Sequence, residues 1–231
     1  MRKCCTMKTQ NVQTLIIQFK NEIASWEIPL FRGCVIHAME DANVLFHNHL
    51  NDDELRYRYP LIQYKRIGKR AALVCVGEGT EVIGDFFSSA NFSFEIGERV
   101  ENMEIDHVDA KRTLIQVWDN EFRYVIRKWL PLSSENYRTY LSLNGIVEQC
   151  AFLQKILVGN VLSFCKGVDV TMEKEVSCVI QNILGTHTYT HKGVKMMGFD
   201  VEFKSNVSLP DYVGLGKGVS LGFGMVKKMM K

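Results

Sequence analysis

No window of the 231-residue chain approaches the roughly 18 consecutive apolar residues of a membrane span. The most apolar helical stretch, Ile146 to Cys165, is broken by Glu148, Gln149, Gln154, Lys155 and Asn160. The first ten residues, MRKCCTMKTQ, lack the apolar core of a signal peptide, so the expectation is a cytoplasmic protein with no membrane partner. There are seven cysteines, an odd number, and no C-x-x-C among them. Cys34, Cys75, Cys150, Cys165 and Cys178 sit in apolar runs, where a thiol acts as a small hydrophobe; this fits a reducing compartment and argues against a disulfide scaffold or zinc finger. The G-x-x-x-x-G-K-[ST] string of a Walker A loop is absent. So are a Pro- or Ser-rich linker and any short-period repeat.

What remains is a chain that can fold: 46% hydrophobic and 23% charged residues exclude disorder as a whole. A net charge of +2 hides an asymmetry. From Glu54 to Arg70 six bases (Arg56, Arg58, Lys65, Arg66, Lys69, Arg70) face one acid, and from Lys204 to Lys231 five lysines face only Asp211. From Glu78 to Glu121, eleven acids outnumber three bases. Such a dipolar chain can focus a polyanion on one side without a high pI, although charge runs also arise as plain solvated faces.

Val12 to Phe19 is β-rich, and Pro29 introduces a helix over 31–42 on the spacing of Phe31, Cys34, Val35, Ala38 and Met39. Tyr59–Ile67, the turn Gly68-Lys69 and Ala71–Val76 read as a hairpin, followed by a helix over 79–90 and further strands before Asp119. The order β-α-β-β-α-β is that of a ferredoxin-like unit, shared by common RNA-recognition modules. A second series starts with the strand Phe122–Leu130, then a helix start at Ser133 with Asn136. A long helix follows, with Ile146, Cys150, Leu153, Leu157 and Val161 on one face. Two strands, Val176–Leu184 and Val194–Lys204, are expected around a turn at Thr186–Gly193. The predicted fold class is therefore α+β, two tandem ferredoxin-like units packed together. The predicted domains are 1–120 and 121–231.

Two stretches carry chemistry. Gly214, Gly216, Gly218, Gly222 and Gly224 put five glycines into eleven positions, against a usual frequency of about 7%. Glycine-rich backbone exposes successive N–H groups that hold phosphate oxygens. A dinucleotide fingerprint would need a following helix, and only seven residues come after Gly224. A loop gripping an RNA backbone and a glycine bulge at a sheet end stay open as alternatives. The second stretch clusters His37, His47 and His49 beside the strongest basic run. Imidazole titrates near neutrality and can give or take protons. A metal reading through His47, His49 and Asp52 or Asp53 competes, and His37 also reads as a hydrogen-bonded structural histidine.

The helix Phe31-Arg-Gly-Cys-Val-Ile-His-Ala-Met39, the histidines soon after it, the strand Tyr59-Pro-Leu-Ile-Gln-Tyr-Lys65 and the terminal glycine loop resemble the CRISPR-associated repeat endoribonucleases (the Cas "six" family) across nearly the whole chain. The resemblance implies metal-independent cleavage of precursor CRISPR RNA within its repeats. The ribose 2′-OH attacks the adjacent phosphate, leaving 2′,3′-cyclic phosphate and 5′-OH ends, and no cofactor is needed. It implies catalysis by His49 first, His47 second, with His37 as partner, because Ile36 stands where many members carry a tyrosine. Expected RNA contacts are Arg56, Arg58, Lys65 and Arg66 with Gly214, Gly216, Lys217, Gly218, Gly222 and Gly224. Expected partners are precursor and mature CRISPR RNA, proteins of an effector complex and a second copy of the chain. The competing functions are a non-catalytic RNA-binding subunit of a larger assembly and a metal-dependent hydrolase.

Overall fold

The computed structural model describes residues 11–38, 59–89, 92–191 and 193–230. The first strand, β1 (Asn11–Glu22), alternates its side chains with the period of two that a pleated strand imposes. Val12 and Ile16 are buried on one face, and Ile17 and Phe19 on the other. Helix α1 (Ile28–His37) begins with Pro29 in its first turn, where the missing N–H costs nothing, and buries Phe31 and Val35. The residues expected to continue it, Met39 to Ala42, lie outside the described residues. β2 (Ile62–Ile67) and β3 (Arg70–Val76) form the expected hairpin. Gly68 and Lys69 both take positive φ, +53° and +73°, the backbone of a turn whose twist matches its strands.

The helix expected over 79–90 is divided into a 3-10 turn, Gly77–Thr80, and α2 (Ile83–Ser89). A small hairpin, β4 (Ser93–Ile96) and β5 (Arg99–Asn102), leads to β6 (Ile105–Leu114). The sheet runs β2-β3-β1-β6 with every pairing antiparallel, so that the two central strands are the first and third of the unit. That is the ferredoxin-like order.

β7 (Val117–Trp129) opens a second sheet, starting five residues before the expected Phe122. α3 (Ser134–Ser142) is capped as its sequence predicts, the Ser133 hydroxyl accepting the Asn136 N–H at 3.1 Å. α4 (Gly145–Gly167) buries Leu153, Leu157, Val161, Phe164 and Cys165. Ile146, expected on that buried face, is 59% exposed, as is the whole first turn of α4 from Gly145 to Glu148. β8 (Cys178–His191) and β9 (Val194–Val207) pair up to His191↔Val194, so the turn expected at 186–193 is mostly strand. Thr186-His-Thr-Tyr-Thr-His191 alternates with period two; its polar residues suggest a loop, whereas the alternation itself is a strand pattern. With β10 (Met225–Lys228) the order is β10-β7-β9-β8, again antiparallel and again ferredoxin-like. In place of this unit's second helix, residues 208–224 carry the glycine-rich segment.

Strands β1, β2 and β3 of the first sheet are buried on both faces. Ile17, Phe19, Leu73 and Cys75 pack with Phe31, Val35 and Phe86 of its own helices. Val12, Ile16, Val74 and Val76 join Tyr124, Ile126, Leu157 and Phe164 in a core shared with the second unit. The two units are thus welded by apolar burial. The five described cysteines are free thiols. Burial pushes Cys75 and Cys165 up to about 12 and Cys178 up to about 11, so they are inert core residues. Among the described residues, no helix is long and apolar enough to cross a membrane.

Candidate functional site

The glycine-rich segment of the second unit is held by the second strand of the first. The Gly214 N–H donates to Gln63 Oε1 at 3.0 Å, and the Gly214 carbonyl accepts from the Tyr59 hydroxyl at 2.8 Å. Gln63 Nε2 donates in turn to the Tyr59 oxygen at 2.8 Å and to the Pro60 carbonyl at 3.0 Å. Lys65 Nζ donates to the Val219 carbonyl at 2.9 Å. On the other side, the N–H groups of Gly224 and Lys217 reach the carbonyls of Lys128 and Leu130. Two elements from different units therefore fix one loop.

Glycine is required at Gly224. Its φ is +63°, and a Cβ there would strike the Leu215 carbonyl oxygen. Gly216, Gly218 and Gly222 also take positive φ. No hydrogen bond from the N–H of Gly216 or Gly218 reaches a described residue, so both amides can serve an external acceptor. Gly167, at the end of α4, has no room for a Cβ because the Tyr59 side chain lies against it. The Tyr59 ring also meets Phe164 edge-on at 5.2 Å. Burial pushes the Tyr59 phenol well above its ordinary value, so it stays a neutral donor. Tyr59 is an anchor between the units.

Lys65 does not face solvent. Its side chain is fully buried, a correction to its expected role as a contact for RNA: the glycine segment covers this strand, and the ammonium is spent on Val219. Burial alone pushes its pKa down to about 7. Arg66 is half-buried and donates through Nε to the Ile23 carbonyl at 2.5 Å, leaving the rest of its guanidinium for other acceptors. Lys217 is exposed in the middle of the glycine segment. His37 is exposed in the last turn of α1. His47, His49, Arg56, Arg58, Asp52 and Asp53 lie outside the described residues, in a stretch that Tyr59 follows directly in sequence.

Sequence reasoning misses Lys128. Its backbone N–H donates to Asp200 Oδ1 at 2.7 Å, its carbonyl holds Gly224, and its Nζ donates to the Ser25 hydroxyl at 3.0 Å. Partial burial, then the Arg66 charge, lowers its pKa, which sets Arg66 and Lys128 close together beside the glycine segment. A φ of +52° on a non-glycine residue is the structural signal; nothing in the local sequence announces it. The sequence likewise gives His191 no role, yet its ring lies 5.5 Å from that of Phe223 in the glycine segment.

Two family models match this chain in succession: the Cas6b N-terminal domain over residues 10–114 and the Cas6b C-terminal domain over 116–229. The chain belongs to the Cas6b family. A crystal structure of Cas6b is 25% identical with a TM-score of 0.81, covering 95% of this chain and all of that one. A crystal structure of CRISPR RNA processing endoribonuclease Cas6b is also 25% identical, at a TM-score of 0.72 over the same shares. An uncharacterized protein of Methanocaldococcus jannaschii, MJ0978, is 37% identical over 111 residues, 48% of this chain and 74% of that protein. Family membership spans both units and both flanks of the glycine segment.

Proposed function

We propose that this chain is a CRISPR RNA processing endoribonuclease that cuts precursor RNA within its repeats, without a metal, by attack of a ribose 2′-OH on the adjacent phosphate. The reading is carried by the Tyr59–Gly214 hydrogen bond in a Cas6b family member: the residue that directly follows the histidine-bearing stretch is bonded to the glycine segment. A base takes the 2′-OH proton as the O–P bond forms, and an acid delivers a proton to the departing 5′-oxygen. The products are a 2′,3′-cyclic phosphate and a 5′-hydroxyl, and no water is consumed. His49 is the first candidate for one of these roles, with His47 second and His37 as partner; each proton transfer is worth about 10²–10⁴-fold. Amides of the glycine segment, with Lys217, Arg66, Lys128, Arg56 and Arg58, supply donors and charge to the phosphates.

The test uses repeat RNA from the genome that encodes the chain, in excess EDTA. Cleavage is expected once per repeat, with a cyclic phosphate at the new 3′ end, and a single 2′-deoxy substitution at the cut nucleotide abolishes it. His49→Ala is expected to slow cutting at least ~100-fold while binding changes little. Cutting of the deoxy substrate excludes 2′-OH attack. Loss of cutting in EDTA that returns with added metal supports the hydrolase reading, and binding with no cutting under any condition leaves a non-catalytic RNA-binding subunit.

A further inference from the structure

Gly185, His187, Tyr189 and His191 fall on one face of β8, two residues apart. That face is opposite to the one that buries Phe199, since His187 pairs with Gly198, the residue before it. The ring centroids of His187 and Tyr189 are 5.9 Å apart, those of Tyr189 and Phe223 5.7 Å, and those of His191 and Phe223 5.5 Å. The row thus runs from the hairpin onto the glycine segment.

Three glycines lie under these rings. A Cβ on Gly185 would come within 2.8 Å of His187, one on Gly198 within 2.6 Å of Tyr189, and one on Gly218 within 2.7 Å of Phe223 and 3.2 Å of His191. Glycine inside a strand weakens it and marks close approach by something else. Here the rings take up the space that side chains would fill. Neither Tyr189 nor Phe223 belongs to either apolar core, and both are only half-buried. The Tyr189–Phe223 and His191–Phe223 rings meet edge to face at 78° and 73°, and His187–Tyr189 is tilted at 56°, so none of these pairs is stacked in parallel. Exposed Lys217, beside Gly218, flanks the row with positive charge.

We propose that Tyr189, His191 and Phe223, with His187 at the outer end, form a platform on which unpaired bases of the RNA stack while the glycine segment holds its backbone. The proposal rests on the RNA-binding reading above and adds a positioning surface on the hairpin. Stacking on an aromatic side chain accepts any base and uses no proton, so the platform orients the strand without joining the chemistry.

The probe is fluorescein-labelled repeat RNA with 2′-O-methyl riboses, which cannot attack its own phosphates, and affinity is read by anisotropy. Tyr189→Phe keeps the ring; Tyr189→Leu covers Gly198 but offers no π face. Tyr189→Phe is expected to bind as the unaltered protein does, and Tyr189→Leu about tenfold more weakly, with the same dependence on salt. Abasic substitution at one or two unpaired positions is expected to weaken the unaltered protein by a similar factor and to add little to Tyr189→Leu. Equal binding by the Leu and Phe variants overturns the platform and leaves the RNA-binding reading standing, as does full additivity at every abasic position. Failure of the unaltered protein to bind repeat RNA at all overturns both.

Discussion

Lys65 is the residue where burial and charge collide most sharply. An ammonium that is fully buried with one carbonyl partner loses more hydration than a single hydrogen bond returns, and among the described residues no carboxylate pairs with it. Its pKa falls from 10.5 to about 7 in the folded state. Between those values the unfolded chain holds a proton that the folded chain has released, so Lys65 adds stability as pH rises and withdraws it as pH falls toward 7. The limiting slope is about 1.4 kcal/mol per pH unit. Urea unfolding of the protein and of Lys65→Met between pH 7 and pH 10 isolates this group, because the buried thiols and phenols titrate alike in both. The wild-type protein is expected to gain stability relative to Lys65→Met across that range. A pH-independent difference would mean that the ammonium keeps its proton.

At the level of elements, the glycine segment stands where a ferredoxin-like unit carries its second helix, and its shape depends on particular positions. Gly224→Ala places a Cβ against the Leu215 carbonyl at a φ of +63°. The left-handed backbone alone costs about 1–2 kcal/mol, and the collision adds to it. Gly33 offers the contrast: it lies in α1, exposed, and a Cβ added there would have nothing within 4 Å. Gly33→Ala is expected to stabilise by about 0.5–1 kcal/mol, while Gly224→Ala lowers the thermal midpoint by at least ~2–8 °C. Equal effects in calorimetry would refute the assignment. Local pattern makes much of this scaffold readable: the alternation in β1, the Gly68-Lys69 turn and the Ser133 cap each depend on residues a few positions apart. The buried state of Lys65 depends on Val219, 154 residues away, and no local window contains both. The outer half of β8 is hidden for another reason. Its strand face is built from threonine, histidine and tyrosine rather than from apolar residues, and hydrophobic alternation is blind to it.

Across the whole molecule, four of the eleven acids of the long acidic stretch, Glu101, Glu104, Asp106 and Asp109, are answered by nearby bases. Lys20 pairs with Glu104, Arg70 with Asp106, Lys111 with Asp109, and Arg99 with both Glu27 and Glu101. Of these acids, Glu104, Asp106 and Asp109 lie on or beside β6, the edge of the first sheet opposite β2. The cations beside the glycine segment are answered less: Arg66 and Lys217 have no carboxylate partner among the described residues, and Arg66 repels Lys128. An RNA strand is the polyanion that such a side would attract, and its affinity is set mainly by released counterions. With about four to six phosphates neutralised, log K is expected to fall against log salt with a slope of about −3 to −4, or roughly 60- to 250-fold between 50 and 200 mM salt. Lys217→Ala and Arg58→Ala are each expected to shrink that slope by about 0.7 and to weaken RNAs of different sequence alike. Lys65→Met is expected to leave the slope unchanged, since the buried ammonium touches no phosphate. Anisotropy titrations at several salt concentrations decide it: a slope near zero, or one that Lys65→Met reduces as much as Lys217→Ala, would remove the electrostatic account of RNA binding.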